Sequence, residues 1–226
     1  MKNPGTSDNQ TTRRILSIAS TAALAAALAV SLPQPAHADN VTPPPVPDGL
    51  EVPEGNRAFL VGHAVGTQNY VCLPSGAGFA WTLFTPQATL FDDHGRQLIT
   101  HFFSPNPFEN RTVRATWQHS RDTSTVWARV FAPPATHDTD PDFVAAGAVA
   151  WVLLEVVPPP DERKDDGVLS RTTFIHRLNT LGGVAPTTGC AEPANVGRTA
   201  FVPYRADYFF YSDRDDDDGH DGHDRH

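Results

Sequence analysis

Between Phe59 and Tyr211 no stretch keeps an apolar repeat of 3.6 residues for three turns, so nothing in this span reads as an amphipathic helix. The repeat that does occur has a period of two. Val113, Ala115 and Trp117 alternate with Arg114, Thr116 and Gln118. Val126, Ala128 and Val130 alternate with Trp127 and Arg129, and Phe174, His176 and Leu178 with Ile175 and Arg177. Successive side chains of a strand point to opposite faces, and these positions are rich in β-branched and aromatic residues, so each segment predicts a strand. Ala88 to Phe91 and Gln97 to Phe103 flank Asp92-Asp93-His94-Gly95, a hairpin turn with glycine placed for positive φ. Ser75-Gly76-Ala77-Gly78 is a second turn. Val149 to Val157 is an almost unbroken apolar run ended by three prolines, the composition of a strand covered on both faces. The pattern predicts an all-β, single-domain fold: a β-sandwich or barrel-like structure of about ten short strands.

The two ends of the chain have other compositions. Lys2, Arg13 and Arg14 precede the apolar run Ala22 to Val30, and Ala36-His37-Ala38 offers a small-x-small cleavage pattern. Residues 1–38 therefore predict a signal peptide. Thr12-Arg13-Arg14-Ile15-Leu16 fits twin-arginine export, with an ordinary secretory leader as the alternative. The apolar run is far shorter than the ~20 residues that span a bilayer, so no stable membrane insertion is expected. Residues 39–57, with Pro43, Pro44, Pro45 and Pro47, read as a Pro-rich linker, and residues 58–212 as the β-rich domain. Residues 213–226 read as a disordered tail rich in Asp and His.

Cys72 and Cys190 are the only cysteines, and both lie in the exported part. In an oxidising compartment a lone pair most simply forms one disulfide; two free thiols and a metal pair are the alternatives. The formal charge of −9 argues against nucleic acid and anionic lipid as partners, since both require a basic patch.

Several longer blocks carry a resemblance. Asn69-Tyr70-Val71-Cys72, Pro86 to Asp92 with Gly95, and Ala148 to Leu154 are three of them. Arg177-Leu178-Asn179-Thr180-Leu181-Gly182-Gly183-Val184-Ala185-Pro186 with Cys190, and Val202 to Tyr211, are the others. Over about Phe59 to Tyr211 the chain resembles an uncharacterised secreted family, a domain of unknown function found in bacteria and fungi. Ala150 stands where that pattern has Pro, and Thr123 interrupts its Asp-Gly-Ser turn at Asp122 and Ser124. The family has no established activity, so the resemblance implies no site residues. Some fungal members are labelled malate dehydrogenase, a label these residues do not support. A dinucleotide fold needs a Gly-x-Gly-x-x-Gly turn between strand and helix, whereas Gly76-Ala77-Gly78 runs into a strand and Gly182-Gly183 is followed by Pro186.

No catalytic residue or cofactor motif stands out. Ser120, Ser124, His101, His119 and His176 supply the residue types of a nucleophilic site without any of its local signatures. His63, His101 and His176 lie on strand-like segments, where a histidine more often has a structural role than a metal. Trp127 falls on the polar face of its strand and is the tryptophan suited to a ligand platform, for instance for an envelope glycan; Trp81, Trp117 and Trp151 suit core packing. In the tail, His220, Asp221, His223, Asp224 and His226 are a weak divalent-metal set, with imidazole and carboxylate in the right mixture but no calcium-loop spacing. The loops 132–147 and 158–167 are long enough to be functional or merely mobile. The composition thus favours a non-catalytic extracellular or envelope binding module, with a secreted hydrolase-like enzyme and metal capture by the tail as alternatives.

Overall fold

In the computed structural model, which describes residues 41–131, 137–159, 162 and 166–214, the alternating segments are strands of one antiparallel sheet. In chain order they are β1 (Asn56–Ser75), β2 (Gly78–Phe91), β3 (Gln97–Pro105), β4 (Val113–His119), β5 (Thr125–Val130), β6 (His137–Asp138), β7 (Trp151–Val156), β8 (Phe174–Gly182) and β9 (Thr199–Asp213). Each strand pairs with its neighbour in sequence from β1 to β5 and from β7 to β9, and β9 returns to β1. A further pairing, Ala128↔Val156 to Val130↔Leu154, joins β5 to β7 and closes eight strands into a barrel. Closure decides between the two architectures the sequence allows. A sandwich would leave β5 and β7 as separate edges; here they hydrogen-bond, and the two-residue β6 pairs only with Trp151 and Val152 at the start of β7.

Three strands are longer than the short strands expected: β1 has 20 residues, β2 has 14 and β9 has 15. Register shifts at Asn69/Tyr70 and Ala58/Leu60 let β1 coil around the barrel while pairing with β2 on one side and β9 on the other. Small residues line the interior along β1, β2 and β9, namely Ala64, Ala88 and Ala206, and the space they leave holds Trp117, Tyr204, Tyr208 and Phe210. Gly66 belongs to this wall. A Cβ there would lie 2.1 Å from the Gln87 carbonyl oxygen, so only glycine allows β1 and β2 to approach so closely. Leu90, Ile99 and Ile175 are fully buried in the same core, each worth roughly 1.5–3 kcal/mol by transfer. Apolar side chains point inward, while Gln87, Gln118, Arg129 and Arg205 are exposed between them. That is the reverse of the pattern in a barrel whose outer face meets lipid.

The two ends of the barrel differ. At one end lie the β2–β3 and β4–β5 turns and the connection from β7 to β8. Leu169 of that connection is fully buried in the barrel core and acts as a plug. Its own N–H donates to Ser124 Oγ (3.1 Å) and the Val168 N–H to Asp122 Oδ2 (2.7 Å), which ties the plug to the β4–β5 turn. At the other end lie the β1–β2 and β3–β4 turns and the long connections β5–β7 and β8–β9.

Outside the barrel a second apolar cluster covers β7, β8 and β9. Leu50, Val144, Ala148, Trp151, Leu178 and Phe209 form it, with Val41, Val46 and Val52 packed against it. The part of the Pro-rich segment described here is therefore seated on the barrel, and packing begins well before Asn56. The pair Cys72–Cys190 is a disulfide with its Cα atoms 5.5 Å apart, joining β1 to the β8–β9 connection. Backbone bonds from Cys72 N–H to Arg198 O (2.9 Å) and Gly197 N–H to Cys72 O (3.0 Å) hold the same join. Among the described residues, no helix is long and apolar enough to cross a membrane.

Candidate functional site

A cavity of about 270 Å³ enters the barrel from the end opposite the Leu169 plug. Its mouth is apolar, with Leu83, Val113 and Val130; Phe103, Ala115 and Val152 form the walls, and Trp117, Leu154 and Tyr208 lie deeper. Interior strand positions repeat every second residue, so His101 and Phe103 on β3, Ala115 and Trp117 on β4, and Ala128 and Val130 on β5 all reach the cavity for the same geometric reason.

Three arginines line this space; Arg114 is paired with Glu109 (2.8 Å) and Arg129 with Glu155 (2.6 Å), which leaves Arg177. Arg177 follows the fully buried Ile175 on the inward face of β8 and lines the cavity. Its Nε and Nη2 donate to the Ala150 carbonyl at 3.2 and 2.9 Å, and the Tyr208 hydroxyl is a further neighbour. Among the described residues it has no carboxylate partner. Immediately after it β8 leaves regular pairing: the register shifts between Leu178 and Leu181, and Asn179 adopts φ 51°. Gly183, at φ 88°, then passes so close to β9 and β1 that a Cβ would sit 2.8 Å from Tyr204 Cβ and 3.1 Å from Gln68 Cγ. The Tyr70 hydroxyl donates to its carbonyl at 2.7 Å. The Arg-x-Asn-Thr-x-Gly-Gly block is thus a bulge that sets an arginine just inside the barrel.

Other polar groups share the cavity wall. The His101 ring stacks on Trp117, with centroids 4.2 Å apart, and its Nδ1–H donates to the Thr116 carbonyl at 2.8 Å. Burial, only partly offset by that bond, pushes its pKa down to about 3, so the imidazole is neutral and its Nε2 is an acceptor. Gln68 and Trp117 are 2% and 1% exposed, and neither the Gln68 Nε2 nor the Trp117 Nε1 has an acceptor. Burial raises the pKa of Tyr204 and Tyr208, whose hydroxyls lie 3.4 Å apart and stay protonated.

The residues singled out in the sequence do not converge here. His63 lies on the outer face between Asp207 (2.6 Å) and Asp93 (2.8 Å); burial opposes its protonation, but the two carboxylates outweigh it and raise the pKa. His176 lies beneath the N-terminal segment, its Nε2–H donating to Leu50 O at 2.6 Å and its Nδ1 accepting from Tyr211 at 2.9 Å. With His101 inside the barrel, the three strand histidines are apart, and no metal-ligand group of three forms among the described residues. His119, Asp122 and Ser124 do meet, but in the wrong order for a nucleophile. The Ser124 hydroxyl donates to Asp122 Oδ1 at 2.7 Å, and the His119 Nδ1 is 2.9 Å from that same oxygen. Partial burial raises the Asp122 pKa, and bonds from the Val168 and Ser124 N–H groups and the Ser124 hydroxyl more than reverse this, holding it well below the usual carboxylate range. The three residues brace the plug.

Trp127 is half-buried on the outer face of β5, its Nε1–H donating to Ser104 Oγ (2.9 Å) and its ring edge-on to Phe108. Trp117 is in the barrel core, Trp151 in the outer cluster, and Trp81 donates to Thr188 O at 3.0 Å. His220, Asp221, His223, Asp224 and His226, like the leader, lie outside the described residues. Of loop 132–147, Val144 is buried against the outer cluster.

Sequence reasoning missed Arg177 and Gln68. The signal available was a single arginine alternating with apolar residues at the start of β8, and that alternation did not show which of the two faces was inside.

One family matches the chain, described as "Protein of unknown function (DUF3455)", over residues 53–212. No curated protein and no solved structure matches it.

Proposed function

The chain belongs to the DUF3455 family of proteins of unknown function, and on that premise we propose that it is an exported, non-catalytic module that holds a small apolar molecule in the open end of its barrel. The observation that carries this reading is the cavity, lined mainly by apolar side chains. Its volume of about 270 Å³ sits at the lower edge of the ~300–1,000 Å³ usual for small-molecule sites, which suits a compact ligand.

Two features weigh against chemistry in the cavity. No carboxylate lines it among the described residues, so His101 has no acid to orient it, and its low pKa makes it a poor base at neutral pH. The Ser124, His119 and Asp122 grouping is spent on the plug. Export is supported by the basic, apolar and small-x-small segments of residues 1–38, including the paired Arg13 and Arg14, and by the single disulfide, which persists in oxidising compartments.

The test uses a neutral solvatochromic dye, Nile red. The protein is expected to bind it with a blue-shifted emission. Ala115→Phe, which fills the cavity wall, is expected to weaken binding about tenfold or more while leaving thermal unfolding nearly unchanged. Absence of dye binding, or equal binding by the filled variant, would reject the reading.

A further inference from the structure

Resting on the cavity as a small-molecule site, we infer that its ligand is an amphipathic monocarboxylate, bound with the carboxylate inward at Arg177 and the apolar body toward the mouth. The argument begins with an unbalanced charge. An arginine has five N–H donors and cannot be deprotonated in a protein, yet Arg177 meets one carbonyl, Ala150 O, and a tyrosine hydroxyl that is held neutral. Arg177 is half-buried beside Trp117, Leu154 and Val152, and taking a guanidinium even partly out of water is costly unless an anion completes the site.

The neighbouring groups point the same way. Gln68 Nε2 and Trp117 Nε1 are donors in the walls of the same cavity and have no acceptor. The donors outnumber the acceptors there, which suits a ligand head made of acceptors only. A carboxylate is such a group, and its two oxygens match the planar fork of a guanidinium. Arg114 and Arg129, which also line the cavity, already have Glu109 and Glu155 as partners, so one uncompensated cation remains among the described residues, which favours a monoanion over a phosphate dianion.

The rest of the ligand follows from the lining. Beyond Arg177 the path to the mouth runs past Phe103, Val113 and Val130, and the two further arginines of the lining, Arg114 and Arg129, are held by Glu109 and Glu155, so it offers little to a polar body. Exposed large apolar residues concentrate at this end as well. Among the described residues Phe108, Val113, Val130, Leu181 and Phe201 fall at strand ends or connections on the mouth side, and all of these but Val130 are more than half exposed. An apolar chain leaving the cavity therefore meets an apolar rim.

Displacement of Nile red from the full chain at pH 7.5 tests this, with decanoate, decanol and decyltrimethylammonium as competitors of equal chain length. Decanoate is expected to compete at about tenfold or more lower concentration than decanol, the size of a charge-assisted hydrogen-bonded contact, and the ammonium least well. In Arg177→Met the dye is expected to stay bound while the advantage of decanoate shrinks to about twofold or less. Equal competition by decanoate and decanol in the unmodified protein, or an advantage that survives in Arg177→Met, would overturn the assignment and leave the cavity as a site for neutral ligands. The comparison in the unmodified protein decides the matter even where Arg177→Met does not fold. A protein that retains no dye at all removes the underlying reading and this one together.

Discussion

Burial holds His101 and His176 neutral, the first pushed down to about 3 and the second to about 4 from an ordinary 6.5. Each imidazole makes a bond to a backbone carbonyl through the one N–H of its neutral form, to Thr116 and to Leu50 respectively. The sign of the pH dependence follows from the depressed values. Between 6.5 and the folded-state value the unfolded chain binds the proton and the folded chain does not, so stability is complete above 6.5 and falls as the pH falls. Each group contributes a slope of up to about 1.4 kcal/mol per pH unit. His63, with a raised pKa, acts elsewhere: its contribution is present below 6.5 and lost as the pH rises through its folded value. Denaturant midpoints measured between pH 6.5 and 4.5 are expected to fall steadily, and His176→Gln is expected to flatten the slope by about half. A flat profile would mean that these rings protonate without unfolding the site.

At the scale of elements, the β4–β5 turn shows how a single position is set by its connection. Thr123 adopts φ 62°, in the left-handed region that a β-branched residue avoids. It is held there by its neighbours, because Asp122 must accept from both the Ser124 and Val168 N–H groups to fix the plug. The glycine of the resembling Asp-Gly-Ser turn would occupy this conformation without strain. Thr123→Gly is therefore expected to raise the unfolding free energy by about 1 kcal/mol, read as a higher denaturant midpoint at unchanged slope. A lower midpoint would show that the threonine side chain contributes more than its backbone costs. The same scale explains what the sequence made legible. β4 and β5 were readable because only their inner face is covered by core, so their alternation is clean. β8 was readable as a strand but its inner face was not, because Ile175 and Arg177 face the barrel while His176 and Leu178 face the outer cluster, and both sets are largely buried. The Pro-rich segment looked like a tether because its apolar residues, Val41, Val46, Leu50 and Val52, are scattered among prolines without a period, and most of the cluster they join comes from Val144 onward.

For the whole molecule, the features that local pattern could not supply are those made by closure. Arg177 acquires meaning only once β5 meets β7 and a chain of strands becomes a container; nothing within ten residues of it announces a cavity. The disulfide, by contrast, was legible from the cysteine count alone. It bridges a separation of 118 residues that encompasses every strand from β2 to β8, so its loss frees most of the domain in the unfolded state. Replacing Cys72 and Cys190 together by serine is expected to cost roughly 4–5 kcal/mol in the chain-entropy treatment. Urea unfolding of the two proteins checks this, and coincident midpoints would show that the native fold gains nothing from the join.

The pairing of the first strand with the last has a further consequence. β1 and β9 are in register from Asn56↔Asp213 to Val71↔Thr199, so the ring is completed by the final segment of the domain to leave the ribosome. A nascent polypeptide that stops short of Thr199 has every other strand and still exposes two bare edges, one of them along most of β1. Such edges recruit strands from other molecules. Premature termination should then yield insoluble fragments rather than a shortened but working protein, and synthesis of this domain is all or nothing.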